Sequence, residues 1–261
     1  MLSGLIVYSK EDKQRNVWFI DRCIDSLANK GISLIYVDED DALDCVSNQK
    51  VDFVIYRGRN YVVLSAIEAK GIRCFNNSET NKIANDKYLT YQYLHKQNIA
   101  CIPSFLNQDE VNSYPMIMKS VDGHGGEEVF LLKAKEDANR YKKPGKTYIY
   151  QRYYENKGDL RLYVLNKKVI GAVLRHNDTD YRINFSLGGE VEKYQPEEEL
   201  IKKAIKIATL LKADYIGVDF LKVGDQWLVN EIEDPVGARM LFKTSGIDVS
   251  VLLTDYISNS L

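Results

Sequence analysis

ADYIGVDFLKVGDQWLVNEIEDPVGARM, residues 213–240, reads as two apolar strands joined by a turn at Gly224-Asp225, with acidic residues where a buried strand should be apolar. Asp219 lies inside the run Ile216 to Leu221, and Glu231 and Glu233 stand two apart in the run Trp227 to Glu233. Strand alternation points both glutamates to one face, and a hairpin can bring Asp219 onto it. Carboxylates crowded on a buried sheet repel one another and lose their hydration, a cost that cations offset. An oxygen-only set suits Mg²⁺ or Mn²⁺, and magnesium fills its remaining positions with waters and substrate phosphates, which points to a nucleotide site. The alternative is an edge strand whose acids face water.

A chain of 261 residues, 45% apolar and 28% charged, has the composition of a soluble globular protein. At about 150 residues per domain it makes one or two domains. With Lys plus Arg at 35, Asp plus Glu at 37 and a formal charge of -2, no bulk nucleic-acid binder is indicated. Cys23, Cys45, Cys74 and Cys101 are widely spaced and form no zinc signature, so they read as small core residues. No segment approaches the ~18 apolar residues of a membrane span, and a cytoplasmic enzyme with reduced thiols is expected.

Outward from the hairpin toward the N-terminus, residues 4–8, 32–37, 52–57 and 72–75 are short β-branched runs separated by helical patterns. In the first such pattern Ile20, Cys23, Ile24, Leu27 and Ala28 recur at helical spacing before Gly31. The alternation predicts a small parallel sheet over about residues 1–78, with ligands at the carboxyl ends of its strands. Arg57 and Arg59 stand where the third strand ends, placed either to grip a carboxylate or phosphate or simply to solvate a turn.

Residues 79–97 read as one polar helix, opening a second unit, and residues 114–120 as a strand. The turn Val121-Asp-Gly-His-Gly-Gly126 leads into another strand at 127–132, with no helix after its glycines. Walker A and dinucleotide fingerprints need that helix. A glycine-rich hairpin can instead lie over a triphosphate and offer backbone N–H groups, with Lys119 neutralising charge; the alternative is an ordinary tight hairpin. Residues 142–146 form a solvated linker, 147–153 a strand, and 159–175 an antiparallel meander. Residues 182–189 are a polar, glycine-bounded loop. Gln195-Pro196 opens the clearest helix, with Leu200, Ala204, Ile207, Ala208 and Leu211 on one stripe. Residues 247–261 predict a terminal amphipathic helix with Val249, Leu252, Leu253, Tyr256 and Ile257 inward.

Taken in order, these stretches resemble the ATP-grasp ligases, in particular the RimK-like branch that adds amino acids such as glutamate to peptide or protein acceptors. The resemblance spans about residues 50–240: the Tyr-Arg-Gly-Arg turn, Asn85-Asp-Lys87, Lys119 with the glycine flap, YIYQRYY, Asp159-Leu-Arg161, Arg175, the loop at 182–189, IGVDFL and NEIEDP. It implies an α/β (α+β) ATP-grasp fold in three parts. These are a parallel α/β domain over 1–78, a central flap subdomain over 79–146, and an antiparallel-sheet subdomain over 147–261 that carries the nucleotide and metal site.

The implied chemistry is ADP-forming: a carboxylate and ATP give an acylphosphate, which an amine attacks to give an amide. In that resemblance Lys87 and Lys119 approach the nucleotide phosphates, beneath Gly123, Gly125 and Gly126. Gln151, Arg152, Tyr153 and Tyr154 match the adenine hinge, and Asp159 or Glu155 contacts ribose or adenine. Asp219, Glu231 and Glu233 match the magnesium-binding positions. Arg161, Arg175, Arg182 and Asn184 match residues around the transferred phosphate and the acceptor. The implied cofactors are ATP and Mg²⁺ (or Mn²⁺); the expected partners are an amino acid or acidic peptide and, given 18 tyrosines, a second copy in a homodimer, with neither nucleic acid nor membrane.

Two departures stand out. Relatives usually end the hairpin in Glu-x-Asn, whereas Glu233 stands here in the place of the asparagine, and Pro235 comes one position early. Arg239 replaces a small residue and is a candidate clamp, with Arg57 and Arg59, for a substrate carboxylate, or else a partner in a surface ion pair. Other readings of the same pattern are a non-catalytic ATP-binding sensor or scaffold and a peptide-tailoring cross-linking enzyme.

Overall fold

The computed structural model describes residues 1–126, 128–155, 158–176 and 190–261. Strands β1 (Ser3–Tyr8), β2 (Ser33–Asp38), β3 (Phe53–Tyr56) and β4 (Arg73–Phe75) form a parallel sheet in the order β2-β1-β3-β4. Beyond Ser3 and Gly4 its central strands β1 and β3 are apolar and buried, because both faces are covered. Ile6, Tyr8, Phe53 and Ile55 pack with Phe19, Ile20, Cys23 and Leu27 of helix α1 (Lys10–Ala28). Leu5, Val7, Val54 and Tyr56 pack on the other side with α2 (Ala42–Asn48) and α3 (Tyr61–Glu68). Ser9 caps α1, its hydroxyl accepting from the Asp12 amide at 3.1 Å.

The stretch expected as one polar helix is two, α4 (Ser78–Ala84) and α5 (Lys87–Lys96). Asp86 breaks the run because its carboxylate accepts from the amides of Tyr88 and Leu89, both at 2.9 Å, and so starts a new helix. Lys87 is thereby placed at the first position of α5, and its amide donates to the carbonyl of Val121 at the flap, 3.0 Å away.

A second, antiparallel sheet has the order β6 (Val129–Leu132), β5 (Met116–Ser120), β7 (Tyr148–Arg152), with short α6 (Ala138–Tyr141) against it. The strand 148–152, expected to open the C-terminal subdomain, is thus hydrogen-bonded into the flap sheet.

The third sheet is antiparallel, in the order β10 (Glu190–Lys193), β9 (Lys168–His176), β8 (Gly158–Leu165), β11 (Tyr215–Val223), β12 (Gln226–Glu233). Helix α7 (Glu198–Leu211) lies on one face, and all five residues of its expected stripe are buried against Leu160, Leu162, Val164, Ile216 and Val218. The opposite face is divided. Tyr163, Leu165, Val173 and Tyr215 join the core beneath α1, together with α8 (Arg239–Ser245) and α9 (Val249–Ser258). Asp159, Arg161 and Asp219, in alternation with the apolar positions, stay on the open half of that face. In α9, Val249, Leu253 and Ile257 point inward as expected, but Leu252 is 37% exposed because its position falls outside the stripe that meets α1. Among the described residues no helix is long and apolar enough to cross a membrane.

Candidate active site

The hairpin β11–β12 brings the acidic residues together by its register. Asp219 lies opposite Glu231 on one side and Arg161 on the other, Gly217 lies opposite Glu233, and Asp159 lies opposite Arg175. Asp219, Glu231 and Glu233 each offer a carboxylate oxygen within 4.8 Å of the others. Between Asp219 and Phe220 the register shifts, so the partner strand carries one extra residue, Asn230. Such a bulge re-aims side chains, and Asn230 lines the same cavity as Glu231, which strict alternation would forbid.

Side-chain cations already match these acids. Arg161 donates to both oxygens of Asp219 at 2.6 Å through Nε and Nη2, and to Glu233 at 2.7 Å. Arg175 grips Asp159 in a bidentate pair at 2.5 Å and also reaches Asp219 at 2.6 Å. Lys119 donates to Glu231 at 3.3 Å and to Asn230 at 3.1 Å, while the Lys87 ammonium bonds the carbonyl of Gly123. Burial raises the carboxyl of Asp219, but the two guanidiniums outweigh it and hold it at about 2. In Asp159 burial wins over Arg175 and the carboxyl rises to about 6. Burial likewise opposes ionisation of Glu231, yet Lys87 and Lys119 keep it below the usual range.

These groups line a cavity of about 320 Å³. At one end Ile117, Val129 and Leu221 face Gln151–Tyr154, and buried Gln151 is fixed by donating to the Ser104 hydroxyl at 2.8 Å. Gly123, His124, Gly125 and Gly126 form the adjoining wall. Gly125 and Gly126 have φ of +70° and +75°, a conformation open to glycine and strained for other residues. Glu155 is exposed and does not line the cavity.

The other end is closed by the Tyr56-Arg57-Gly58-Arg59 turn, α1 and the segment 235–240. Arg57 is 5% exposed and donates to the carbonyl of Val236 at 2.5 Å and to the Tyr8 hydroxyl at 3.2 Å. Arg59 is paired with Asp12. Glu39 braces the turn, accepting from the Tyr56 hydroxyl at 2.6 Å and the Asn60 amide at 2.9 Å. A Cβ on Gly58 would sit 1.9 Å from that Glu39 oxygen, so a larger residue there displaces the brace. Arg239 is exposed at the cavity and makes no hydrogen bond or ion pair among the described residues. Of the three expected clamp residues, two are engaged within the protein and one is available.

Arg182 and Asn184 lie outside the described residues. Asn230, Asp12, Arg15 and Asn16 line the cavity without having been foreseen, since nothing in their local pattern separates them from helix or strand surface. Asp234 was also missed. Buried beside Glu233, it accepts from Asn76 at 2.9 Å and Asn81 at 3.0 Å; its carbonyl accepts from Asn85 at 2.7 Å, and Asn81 donates in addition to the carbonyl of Gly58. Asn76 just before the polar stretch 79–97, and Asn81 and Asn85 within it, gave the only available hint.

The family model of the RimK-like ATP-grasp domain matches residues 84–257. A protein of Haemophilus influenzae described as a probable alpha-L-glutamate ligase is 30% identical over 75% of this chain and 70% of its own length. Among solved structures, D-alanine–D-alanine ligase from Bacillus anthracis superposes with a TM-score of 0.79 at 16% identity, covering 99% of this chain and 96% of that one. ATP-grasp ligase PsnB, complexed with a minimal precursor, superposes with a TM-score of 0.76 at 17% identity, covering all of both chains. The fold is that of these ligases, and the chain belongs to the RimK-like ATP-grasp family of ADP-forming ligases, whose cofactors are ATP and Mg²⁺.

Proposed function

We propose that the protein joins a carboxylate to an amine through an acylphosphate, with an amino acid or an acidic peptide as substrate. The observation that carries this reading is the convergence of Asp219, Glu231 and Glu233 within 4.8 Å beside Lys119, in a cavity whose far end presents the exposed side chain of Arg239. The donor set is all carboxylate oxygen, which fits Mg²⁺ and disfavours softer metals. Those three residues would hold the ion, and ATP with its metal would supply the phosphoryl group and the neutralisation of its charge.

The chain's own residues then divide the work. Lys119 and Lys87, at the flap, neutralise phosphate oxygens, and the glycines at 123, 125 and 126 let backbone approach them without Cβ obstruction. Ile117, Val129 and Leu221 provide an apolar slot for a base, with Gln151, Arg152, Tyr153 and Tyr154 at its edge. Arg161 and Arg175 hold positive charge where a pentavalent phosphorus would develop negative charge, kept in place by Asp159, Asp219 and Glu233. Asp159, gripped by Arg175, serves in that frame. Arg239 is available to a substrate carboxylate, while Arg57 and Arg59 shape the turn behind it. The name of the Haemophilus relative favours glutamate as one of the two substrates.

The test is ADP release with Mg²⁺ and ATP against a panel of amino acids and acidic peptides, with Glu231→Gln as control. Release that requires a particular carboxylate and amine together establishes the reaction. ATP binding with no pair stimulating turnover supports a sensor or scaffold instead.

A further inference from the structure

Two helices, α1 and α8, each carry an arginine that lines the cavity and an aromatic ring about one turn further along the helix. In α1, Arg15 lines the cavity and Trp18 follows at i+3; in α8, Arg239 lines it and Phe242 follows at i+3. The two rings touch, centroids 5.1 Å apart, although Trp18 is 41% and Phe242 43% exposed. Val17, at 45% exposure, adjoins them in sequence, and the Arg22 guanidinium stands 5.2 Å from the Trp18 ring. Arg15 reaches only Glu11, at 3.5 Å with both side chains largely exposed, and Arg239 has no partner among the described residues.

We propose that this aromatic pair and the two arginines form one docking surface for an acidic peptide substrate that carries an apolar side chain one to two residues from its acidic one. The inference rests on the ligase reading and narrows its substrate from a free amino acid to a peptide. A helix rises ~1.5 Å per residue, so each ring lies about 4.5 Å beyond its arginine. An extended peptide advances ~3.3 Å per residue. A residue held by Arg15 and Arg239 therefore places its neighbour one or two positions away over the rings. The surface is continuous with the cavity, and its mouth is cationic where the peptide is anionic. A second copy of the chain fits it poorly. At these exposures the rings present on the order of 200 Å², against about 800 Å² per partner in a stable interface.

Trp18 is itself a reporter, since the chain has only 2 tryptophans. In a Trp227→Phe background, the peptides Gly-Gly-Leu-Ser-Glu and Gly-Gly-Ser-Ser-Glu are titrated and Trp18 fluorescence is followed without ATP. Covering one leucine side chain predicts about tenfold tighter binding of the first peptide. That ratio should fall to about one in Phe242→Ser, and Arg239→Ala should weaken both peptides alike. Equal affinity for the two peptides, or a ratio that survives Phe242→Ser, overturns the proposal. So does a dimer in sedimentation that Phe242→Ser dissolves, which would assign the rings to a second copy. The readout is independent of turnover. A leucine preference in a protein that releases no ADP with any substrate would fail the ligase reading alone, while ADP release with free amino acids and no leucine preference would fail docking alone.

Discussion

Replacing Asp219 by asparagine should be felt first as lost stability, before any question of catalysis. Asp219 is 2% exposed and accepts from Arg161 at both oxygens and from Arg175 at one. An amide keeps the shape, but its NH₂ points at a guanidinium N–H, and one negative charge is lost between two buried cations. Removing one partner of a buried ion pair costs about 3–5 kcal/mol. For a chain of this size 1 kcal/mol shifts Tm by ~2–4 °C, so Asp219→Asn should melt roughly 6–20 °C below wild type. Calorimetry in buffer free of nucleotide and divalent metal isolates this effect from ligand binding. Charge, as distinct from packing, is checked by a double-mutant cycle with Arg161→Gln, whose other partner Glu233 is a third exposed and can be solvated; the lost Asp219–Arg161 pair is then counted once in the double variant and should appear as a coupling energy. Wild-type melting of the single variant, or no coupling in the double, would refute the account of Asp219 as the anion that balances both arginines.

Glu231→Gln is the gentler lesion: its side chain is 25% exposed and, among the described residues, its ion pair is with Lys119 at 3.3 Å, so it should stay folded within about 1 kcal/mol in urea titration while ATP turnover is lost. Lys119→Ala should raise the ATP concentration needed for half-maximal ADP release by about ten- to a hundredfold, the worth of one charged hydrogen bond to phosphate, and an unchanged requirement would remove Lys119 from the nucleotide site. In Gly58→Ala the new methyl group expels Glu39 and strips the Asn60 amide of its acceptor, so unfolding in urea should come about 1–3 kcal/mol more easily. Burial pushes the thiols of Cys23 and Cys74 up to about 12, so a thiol reagent at pH 8 should leave both unlabelled by mass spectrometry until the protein is denatured.

Much of the fold was legible because its elements are locally self-consistent. The hairpin at 215–233 declared itself through alternation and the Gly224 turn, and α7 through an unbroken apolar stripe with acids in its first turn. Where a single side chain decided the outcome, periodicity was blind. Asp86 divides one helical pattern into two by capping, and Leu252 is apolar yet exposed because the partner α1 covers a narrower stripe. Within the site, Lys87, Lys119 and the three carboxylates converge as expected. Asn230 could not be placed, since one bulged residue reverses the facing of everything on one side of it. Nor does sequence show whether an arginine is available to a ligand: Arg57 and Arg239 look alike in the chain, but the first is buried on a backbone carbonyl and the second is exposed, with no partner among the described residues.

The same limit explains why the acidic hairpin seemed to demand a metal. Its carboxylates lie on a strand apart from the cations that balance them, and register alone brings Asp219 beside Arg161 and, across β8, within reach of Arg175. Asp159, Asp219, Glu231 and Glu233 are matched evenly by Arg161, Arg175, Lys87 and Lys119, so this cluster of carboxylates is close to neutral before any ion enters it. The extra charge of Glu233, where relatives usually have asparagine, is accommodated by the same Arg161 that holds Asp219. A metal binding there competes with arginines already seated. Its affinity is therefore set by how far Arg161 and Arg175 can turn toward a phosphate that arrives with it, which predicts that Mg²⁺ alone binds weakly and that nucleotide and metal bind cooperatively. Asp234 keeps that exchange local. It links the hairpin end to Asn76, Asn81 and, through Asn81, to Gly58, and so ties the carboxylates to the arginine turn by buried hydrogen bonds.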